Sequence, residues 1–293
     1  MSKLYASRPA APPTRLSTEM LNVLNLIIAR PVMGFDRVSF VMDHPSPDIR
    51  LPLIGRHCNS ITLKPCEPQK YHPMWQSHVD LFQPSAQALN LICQFIGNRY
   101  RVSLNYAEIA IDFLTETSGD AAEVHRFMLE HMTVPYLRHD VTHMGGTAYF
   151  APRSMSSGTA TPHNVVIYSD RPSKLRSVAY LCQPCCHLEH RLVGLAEMEN
   201  HGFFSLTDCA QFDHEAFWHK NLHLSQLPAK VDLGRWLDPE NSNVSGTALR
   251  KRADKFLDAY RYNGTLILQD CLHDNGDLKP LMRSIKSADF LAI

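Results

Sequence analysis

Two carboxylates, Glu108 and Asp112, lie four residues apart in a segment whose other residues are mostly apolar. Side chains alternate along a β-strand, so a strand over 104–114 would place both acids on one face and large apolar side chains on the other. Carboxylates that share a face raise each other's pKa unless a positive group neutralises them, and Mg²⁺ and Mn²⁺ prefer oxygen ligands. The pattern predicts a divalent-metal site; the alternative is a solvent-facing strand whose acids are hydrated.

The segment 186–193 carries a second polar face, formed by His187, Glu189 and Arg191. Burying such a face is unfavourable unless its charges are paired. We therefore expect a polar site in which Glu189 is a third carboxylate and Arg191 contacts a phosphate or pairs with an acid. The alternative is a set of cross-strand ion pairs at a hydrated sheet edge.

Tyr168 ends an apolar run and is followed by Arg171 and Lys174. A tyrosine hydroxyl can attack a phosphodiester and keep the broken end as a covalent ester. Because the pKa of a free phenol is about 10, nearby cations must favour the phenolate, and Arg171 and Lys174 are candidates for that role and for holding the phosphate. The alternative is an ordinary aromatic side chain of a strand.

Other catalytic motifs are incomplete or absent in the sequence. Cys182, Cys185 and Cys186 include a C-x-x-C spacing that can bind zinc, but no second pair follows at zinc-finger spacing. No histidine–hydrophobic–histidine triplet occurs, which disfavours the HUH class of nicking enzymes. No G-x-x-x-x-G-K-[ST] phosphate loop occurs either, which disfavours an ATP-driven helicase.

The composition is that of a globular protein with a sizeable core. The 293 residues are 44% hydrophobic, and 29 Lys plus Arg balance 29 Asp plus Glu, so nucleic-acid contacts would have to come from local clusters. No apolar run approaches the roughly 18 residues that span a bilayer, and the first nine residues lack the apolar core of a signal peptide. We therefore expect a soluble, cytoplasmic protein without membrane contact, whose eight cysteines are free thiols.

Apolar periodicity predicts an α+β fold, with largely antiparallel sheet flanked by helices and a loose internal pseudo-repeat. We expect a disordered N-terminus over 1–15, a catalytic domain over 16–228 and a helical C-terminal region over 229–293. Predicted strands cover 35–43, 60–64, 76–82, 104–114, 148–150, 164–169 and 186–193. Predicted helices cover 18–29, 84–97, 121–132, 206–212, 213–222 and 247–262.

The predicted helix 247–262 is locally basic. Its cations include Arg250, Lys251, Arg252 and Lys255, and they outnumber its acids. Such a helix can lie along a phosphate backbone. The alternative is a solvated helix face with intrahelical ion pairs.

Several motifs together resemble the replication initiation factor family, the rolling-circle Rep proteins of small transmissible plasmids and their relatives in filamentous phages. The similarity covers roughly residues 35–225, and the motifs occur in the family's order. They are the acidic strand 108–113, the turn 147–154, the tyrosine element 164–174 and the strand 187–192, with a lead-in at 81–85 and a follow-on at 212–218. Two departures from the family pattern are Ala151 in place of glycine and 169–171 in place of Asp-Lys.

The resemblance implies specific roles. Tyr168 would nick one strand of origin DNA and become 5′-phosphotyrosyl-linked, while Glu108, Asp112 and Glu189 would hold Mg²⁺ or Mn²⁺. The implied phosphate contacts are Arg153, Lys174 and Arg191. The implied partners are origin DNA, double- and single-stranded, a host helicase and polymerase, and a second copy of the chain. The rival hypotheses are a non-catalytic origin- or promoter-binding protein and a metal-dependent nuclease that uses water.

Overall fold

The structure, a computed structural model, describes residues 18–45, 51–97, 99–133, 142–150, 164–175, 182–225 and 265–267. The helices are α1 (Thr18–Leu24), α2 (Leu51–Ile54), α3 (Ala86–Ile96), α4 (Ser118–His131), α5 (Leu195–Asn200), α6 (Leu206–Ala210) and α7 (His214–Asn221). The strands are β1 (Val32–Met42), β2 (Ser60–Pro65), β3 (Ser77–Phe82), β4 (Val102–Leu114), β5 (Met132–Thr133), β6 (Thr142–Met144), β7 (Thr147–Tyr149), β8 (Asn164–Tyr168), β9 (Cys185–Val193), β10 (His223–Ser225) and β11 (Thr265–Ile267).

Eight strands form one sheet in the order β2-β3-β1-β4-β9-β8-β7-β6, and β11-β10-β5 form a smaller one. The pairings between the described strands are antiparallel. The long strands β1 and β4, of 11 and 13 residues, lie at the centre. This is the α+β architecture with largely antiparallel sheet that the sequence predicts.

The sheet has two halves of related topology. β1 is followed by α2 and by the antiparallel pair β2–β3, and β3 returns to pair with β1. β4 is followed by α4 and later by the pair β8–β9, and β9 returns to pair with β4. The halves join through β1 and β4. The internal repeat is therefore one of strand order, without a strictly repeated residue pattern.

Local signals fix several helix ends. Ser85 caps α3 by accepting a hydrogen bond from the backbone of Ala88, and Gly97 ends the helix with a φ of +47°. Thr117 and Asp120 form a reciprocal capping box at the start of α4. The ends of α3 lie within two residues of the predicted 84–97, because the residues that cap a helix are distinctive. α4 begins at Ser118, three residues before the predicted start, because the cap is Thr117.

Two local predictions were wrong. The sequence predicts a helix over 18–29, but α1 ends at Leu24. The next residues run beside the end of β4, where Ile27 bridges Thr115 and the Ile28 amide donates to the Leu114 carbonyl. Tertiary hydrogen bonds thus replace the last helical turns. The predicted loop 44–52 also overlaps the start of the short helix α2.

The two faces of the central sheet differ in chemistry. On β4, Ile109, Ile111 and Phe113 are fully buried against the helices, as alternation predicts. The other face carries the polar side chains described below. Between the helices and the sheet lies the hydrophobic core.

Replacing Ile109 by alanine should lower the free energy of unfolding by about 2–5 kcal/mol, because the side chain is fully buried in this core. Urea denaturation followed by circular dichroism measures the change. Leu195→Ala is the matched control: that leucine is 49% exposed, and the expected change is below about 0.5 kcal/mol. Equal losses in both variants would contradict the assigned facing of β4.

Several predicted features lie outside the described residues. They include the N-terminus 1–15, the turn residue Arg153 and the basic helix with Arg250, Lys251, Arg252 and Lys255. The described part of 229–293 is Thr265–Ile267, which forms β11 and pairs with β10. Among the described helices, none is both long and apolar enough to cross a membrane.

Candidate metal-dependent active site

Strand register brings the predicted segments together. Across β4 and β9, Glu108 pairs with Arg191 and Asp112 pairs with His187. Tyr168 on β8 is the partner of His187 on its other side. Asp112 is fully buried and Glu189 is 2% exposed, so the hydrated-strand alternatives do not describe these acids. The three predicted segments form one buried polar face.

His187 lies at the centre of this face. Its Nδ1 is 2.5 Å from Asp112 Oδ1, and its Nε2 is 3.2 Å from Glu189 Oε2. Burial alone lowers the pKa of His187, but the hydrogen bond to Asp112 and the charges of Asp112 and Glu189 raise that pKa to about 10. At neutral pH the ring is therefore an imidazolium between two carboxylates. The Ser173 hydroxyl also donates to Asp112.

Glu108 and Arg191 form the adjoining part of the face. The Tyr106 hydroxyl donates to Glu108 Oε1 over 2.5 Å, and Arg191 Nε lies 3.6 Å from the same oxygen. Arg191 also pairs with Glu189. Burial and the charge of Glu189 raise the pKa of Glu108 to about 7. Glu108 is thus a carboxylate that can exchange a proton near neutral pH, and Arg191 takes the acid-pairing role of the two expected for it.

Asp36 is a site residue that the sequence reasoning missed. Regular alternation along β1 places Asp36 on the same face as Val38, Phe40 and Met42, which is the core face. The register with β4 is irregular here: Phe35 pairs with Ile109 and Arg37 with Glu108, which leaves Asp36 as an extra residue. A β-bulge of this kind redirects a side chain. The sequence signal for this was an acidic residue at a position where strand alternation predicts a buried apolar side chain.

Gln83 holds Asp36 in place. Its side-chain amide donates to Asp36 Oδ1 over 2.5 Å and to the Asp36 carbonyl over 3.1 Å. Asn59 donates to Gln83 Oε1 over 3.0 Å. Gln83 has a φ of +45°, a conformation that non-glycine residues seldom adopt. The strained backbone and the hydrogen bonds together aim the Asp36 carboxylate at the site.

Asp36, His187 and Glu189 form the group with metal-ligand spacing among the described residues. One ligand atom from each lies within 4.8 Å of the others. Two carboxylates and one imidazole suit Mn²⁺ or Mg²⁺. Oε1 of Glu189 pairs with Arg191, and its Oε2 faces His187 Nε2. The residues therefore fit a divalent cation. The His187 imidazolium must lose a proton before its ring nitrogen can bind a metal ion, so metal affinity should rise with pH.

This group differs from the predicted ligand set. Glu189 belongs to both sets. Asp112 is linked to the group through His187, and Glu108 lies beside Tyr106 and Arg191. The cysteines of the C-x-x-C motif do not belong to it. Cys182 is exposed, and Cys185 is buried with its Sγ 3.7 Å from the Arg171 carbonyl.

Tyr168 stacks directly on His187. The ring centroids are 4.5 Å apart with an interplanar angle of 27°, and the Arg171 guanidinium lies 5.1 Å from the tyrosine centroid. Burial, with the charges of Glu189, Asp36 and Asp112, raises the pKa of Tyr168 above its usual value, while Arg171 lowers it. Without a bound cation, the carboxylates therefore oppose the phenolate that nucleophilic attack requires.

Lys174 occupies a different position from Arg171. It is exposed, and its carbonyl accepts a hydrogen bond from Asn59 over 3.0 Å. The segment that contains both residues crosses the polar face. Ser173 donates a hydrogen bond to Asp112, and Leu175 lies 3.7 Å from the place where a Cβ on Gly34 would stand. The segment 171–175 thus covers the site from β8 towards β2, and Arg171 is the cation that meets the tyrosine.

The metal-free protein should lose stability as pH rises from 6.5 to about 10. The folded pKa of His187, about 10, exceeds its unfolded value of 6.5, so its stabilising contribution is complete below pH 6.5 and disappears as pH passes through about 10. The size is on the order of a few kcal/mol. Urea unfolding in a chelator measures it as a function of pH.

Glu108 affects the stability of the fold over a different pH range. Its folded pKa of about 7 exceeds 4.5, so its ionisation destabilises the fold between pH 4.5 and about 7. Between pH 7 and about 8, below the range in which unfolded cysteine thiols ionise, His187 is the dominant titrating group. Above that range the raised pKa values of the buried Cys185, Cys186 and Cys209 thiols also lower stability. His187→Gln should flatten the slope between pH 7 and about 8, whereas exposed His72→Gln should keep it. An unchanged slope in His187→Gln would contradict the buried imidazolium.

The chain matches no known protein-family model and no curated protein. It is similar in structure to a rolling circle replication initiator protein from Geobacillus stearothermophilus, with a TM-score of 0.38 and 11% sequence identity. The alignment covers 68% of this chain and 89% of that chain. A likeness this weak leaves function to be inferred from the geometry of the site.

Proposed function

We propose that this protein is a rolling-circle replication initiator that nicks and rejoins one strand of origin DNA through a phosphotyrosine on Tyr168. The observation that carries the proposal is the stacking of Tyr168 on His187, whose ring nitrogens contact Asp112 and Glu189. An ordinary aromatic side chain of a strand packs among apolar residues, whereas Tyr168 packs against a histidine that contacts two buried carboxylates. Such clusters with strongly shifted pKa values are typical of catalytic sites.

The covalent step balances without a further reactant. The Tyr168 hydroxyl oxygen forms a bond to phosphorus, and the bond from phosphorus to the 3′ oxygen breaks. The phenol gives up a proton to the carboxylate–histidine network, and the released 3′ oxygen gains one. The products are a 5′-phosphotyrosine and a free 3′-hydroxyl, which can prime synthesis by a polymerase or attack the ester to rejoin the strand.

The residues divide the remaining work. Asp36, His187 and Glu189 would hold Mg²⁺ or Mn²⁺, which when bound supplies positive charge that polarises the scissile phosphate. Arg171 stabilises the phenolate from the outer side of the ring. Glu108, with its pKa of about 7, exchanges a proton. Arg191 pairs with both Glu108 and Glu189 and so offsets the repulsion between these two carboxylates.

One rival function has a specific observation in its favour. Tyr168 is only 7% exposed and its pKa is raised, which suits a structural tyrosine beside a metal-dependent nuclease that uses water as nucleophile. In that case cleavage would need the carboxylates and no tyrosine. The proposed partners are origin DNA, a host helicase and polymerase, and a second copy of the chain, acting in the cytoplasm.

A covalent-capture assay separates these functions. The protein is incubated with Mn²⁺ and a randomised pool of single-stranded oligonucleotides labelled at the 3′ end, and then run on a denaturing protein gel. The proposal predicts labelled DNA that migrates with the protein and disappears when a chelator is added. Cleaved DNA without a protein adduct would support the water-dependent nuclease, and intact DNA would support a binding protein without catalysis.

A further inference from the structure

A cavity of about 520 Å³ opens beside the candidate active site. Its lining includes Tyr71, His78, Asn105, Arg37 and Lys64, and we call it the Tyr71 pocket. We propose that it binds one nucleotide of the single strand next to the scissile phosphate, with preference for a base that carries an exocyclic amino group. This inference rests on the proposed function.

The Tyr71 pocket shares a wall with the active site. Tyr106 and Arg191 line the pocket, and the same two side chains contact Glu108. Its volume lies within the range of small-ligand pockets, about 300–1,000 Å³. A strand whose scissile phosphate lies at Tyr168 can therefore continue into this pocket along the same sheet face.

Aromatic rings offer a surface for a base. Tyr71 and His78 lie with centroids 5.7 Å apart and an interplanar angle of 29°, and Tyr106 lines the pocket as well. Bases of single-stranded DNA stack on such side chains regardless of sequence. Stacking would supply affinity, and the polar atoms described next would supply selectivity.

The pocket has a surplus of positive charge. Arg37 and Lys64 both pair with Asp80, at 2.7 and 3.5 Å, so two cations share one carboxylate. Lys70 and Glu67 also line the pocket, and they form an ion pair at 2.7 Å in which their charges offset each other. Unbalanced cations beside stacked rings fit a phosphate joined to a base.

Two buried acceptors lack donors among the described residues. Asn105 donates through Nδ2 to the Tyr71 hydroxyl over 3.1 Å, but its Oδ1 has no partner. His78 is 5% exposed and its Nδ1 has no partner. Its Nε2 lies 3.6 Å from Asp80 Oδ1, which favours the proton on Nε2 and leaves Nδ1 as an acceptor.

These acceptors select the class of base. Adenine, cytosine and guanine each carry an amino group with two N–H donors, whereas thymine carries none. Asn105 lies at an irregularity of the β1–β4 register, between the pairs Ser39–Tyr106 and Phe40–Leu104. Oδ1 is covered in the unliganded protein, so the proposed contact requires the Asn105 side chain to rotate towards a ligand amino group in the pocket.

Binding can be tested in the Tyr168→Phe background with a chelator present, so that neither the tyrosine nor a metal-activated water can cut the strand. Fluorescence anisotropy measures affinity for labelled single strands of deoxycytidine or thymidine alone. We expect tighter binding of the deoxycytidine strand. Tyr71→Ala should weaken both by about tenfold or more, while Tyr71→Phe keeps most of the affinity. Asn105→Leu should remove the preference between the two strands.

Surface variants guard against misfolding as an explanation. Lys64 has a side chain about half exposed, so Lys64→Ala should fold normally and lower the salt dependence of binding by about 0.7 in slope. Lys220→Ala, an exposed lysine of α7 on the core side of the sheet, should change nothing. Equal effects of Lys64→Ala and Lys220→Ala, or an unchanged base preference in Asn105→Leu, would overturn the inference.

Failure of the pocket assignment and failure of the nicking function give different results. If the pocket variants behave as expected but wild-type protein forms no covalent adduct, the pocket stands and the nicking function fails. If the adduct forms and the pocket variants bind like the parent, the function stands and the pocket assignment fails.

Discussion

Tyr168→Phe should abolish the covalent protein–DNA adduct, lowering its rate of formation by at least about 10³-fold. The substitution removes the attacking oxygen but keeps the ring that stacks on His187. The fold and metal affinity should therefore be preserved. Single-turnover assays with captured oligonucleotides and Mn²⁺ measure the rate, and urea unfolding checks the fold.

Tyr100→Phe is the matched control. Tyr100 makes an edge-to-face contact with His44 and does not belong to the candidate site, so this substitution should leave the rate unchanged. Cleavage that continues at the wild-type rate in Tyr168→Phe would assign the chemistry to water. An adduct that persists in Tyr168→Phe would assign the nucleophile to another residue.

The second large effect concerns the metal ligands. Glu189→Gln and Asp36→Asn should each weaken Mn²⁺ binding by about tenfold or more, because each removes a negatively charged ligand oxygen from the group that also contains His187. Isothermal titration calorimetry measures the affinity, and the same variants should lose adduct formation at low Mn²⁺.

Glu108→Gln is the informative comparison. Glu108 lies beside Tyr106 and Arg191, so its loss should change Mn²⁺ affinity only a few-fold while it alters the pH dependence of cleavage near its pKa of about 7. Strong loss of affinity in Glu108→Gln with none in Asp36→Asn would favour the ligand set Glu108, Asp112 and Glu189 instead.

Strand alternation accounts for most of what the sequence predicts correctly. Glu108 and Asp112 share a face because a strand has a period of two, and the same rule places Glu189 and Arg191 on one face. The core side chains Ile109 and Ile111 follow from it as well. Register then completes the site, since β9 pairs with β4 in a way that sets Asp112 beside His187.

The parts that the sequence does not predict depend on local irregularities. Asp36 reaches the site through a β-bulge, which moves one residue to the other face; its trace in the sequence is an acid at a position where alternation predicts an apolar residue. Gln83 matters because of a positive φ and a hydrogen bond to a residue 47 positions away. The charge state of His187 depends on Glu189, which alternation along β9 places on the same face, and on Asp112 of β4, which the strand register places beside His187.

The identity of the residue that carries DNA is the most direct test. Adducts captured with Mn²⁺ are digested with protease and nuclease, and mass spectrometry locates the peptide that bears a residual nucleotide. The proposed function predicts modification of the Tyr168 side chain in the peptide that contains β8 and Arg171. A nucleotide on any other residue, or cleaved strands with no modified peptide, would contradict it.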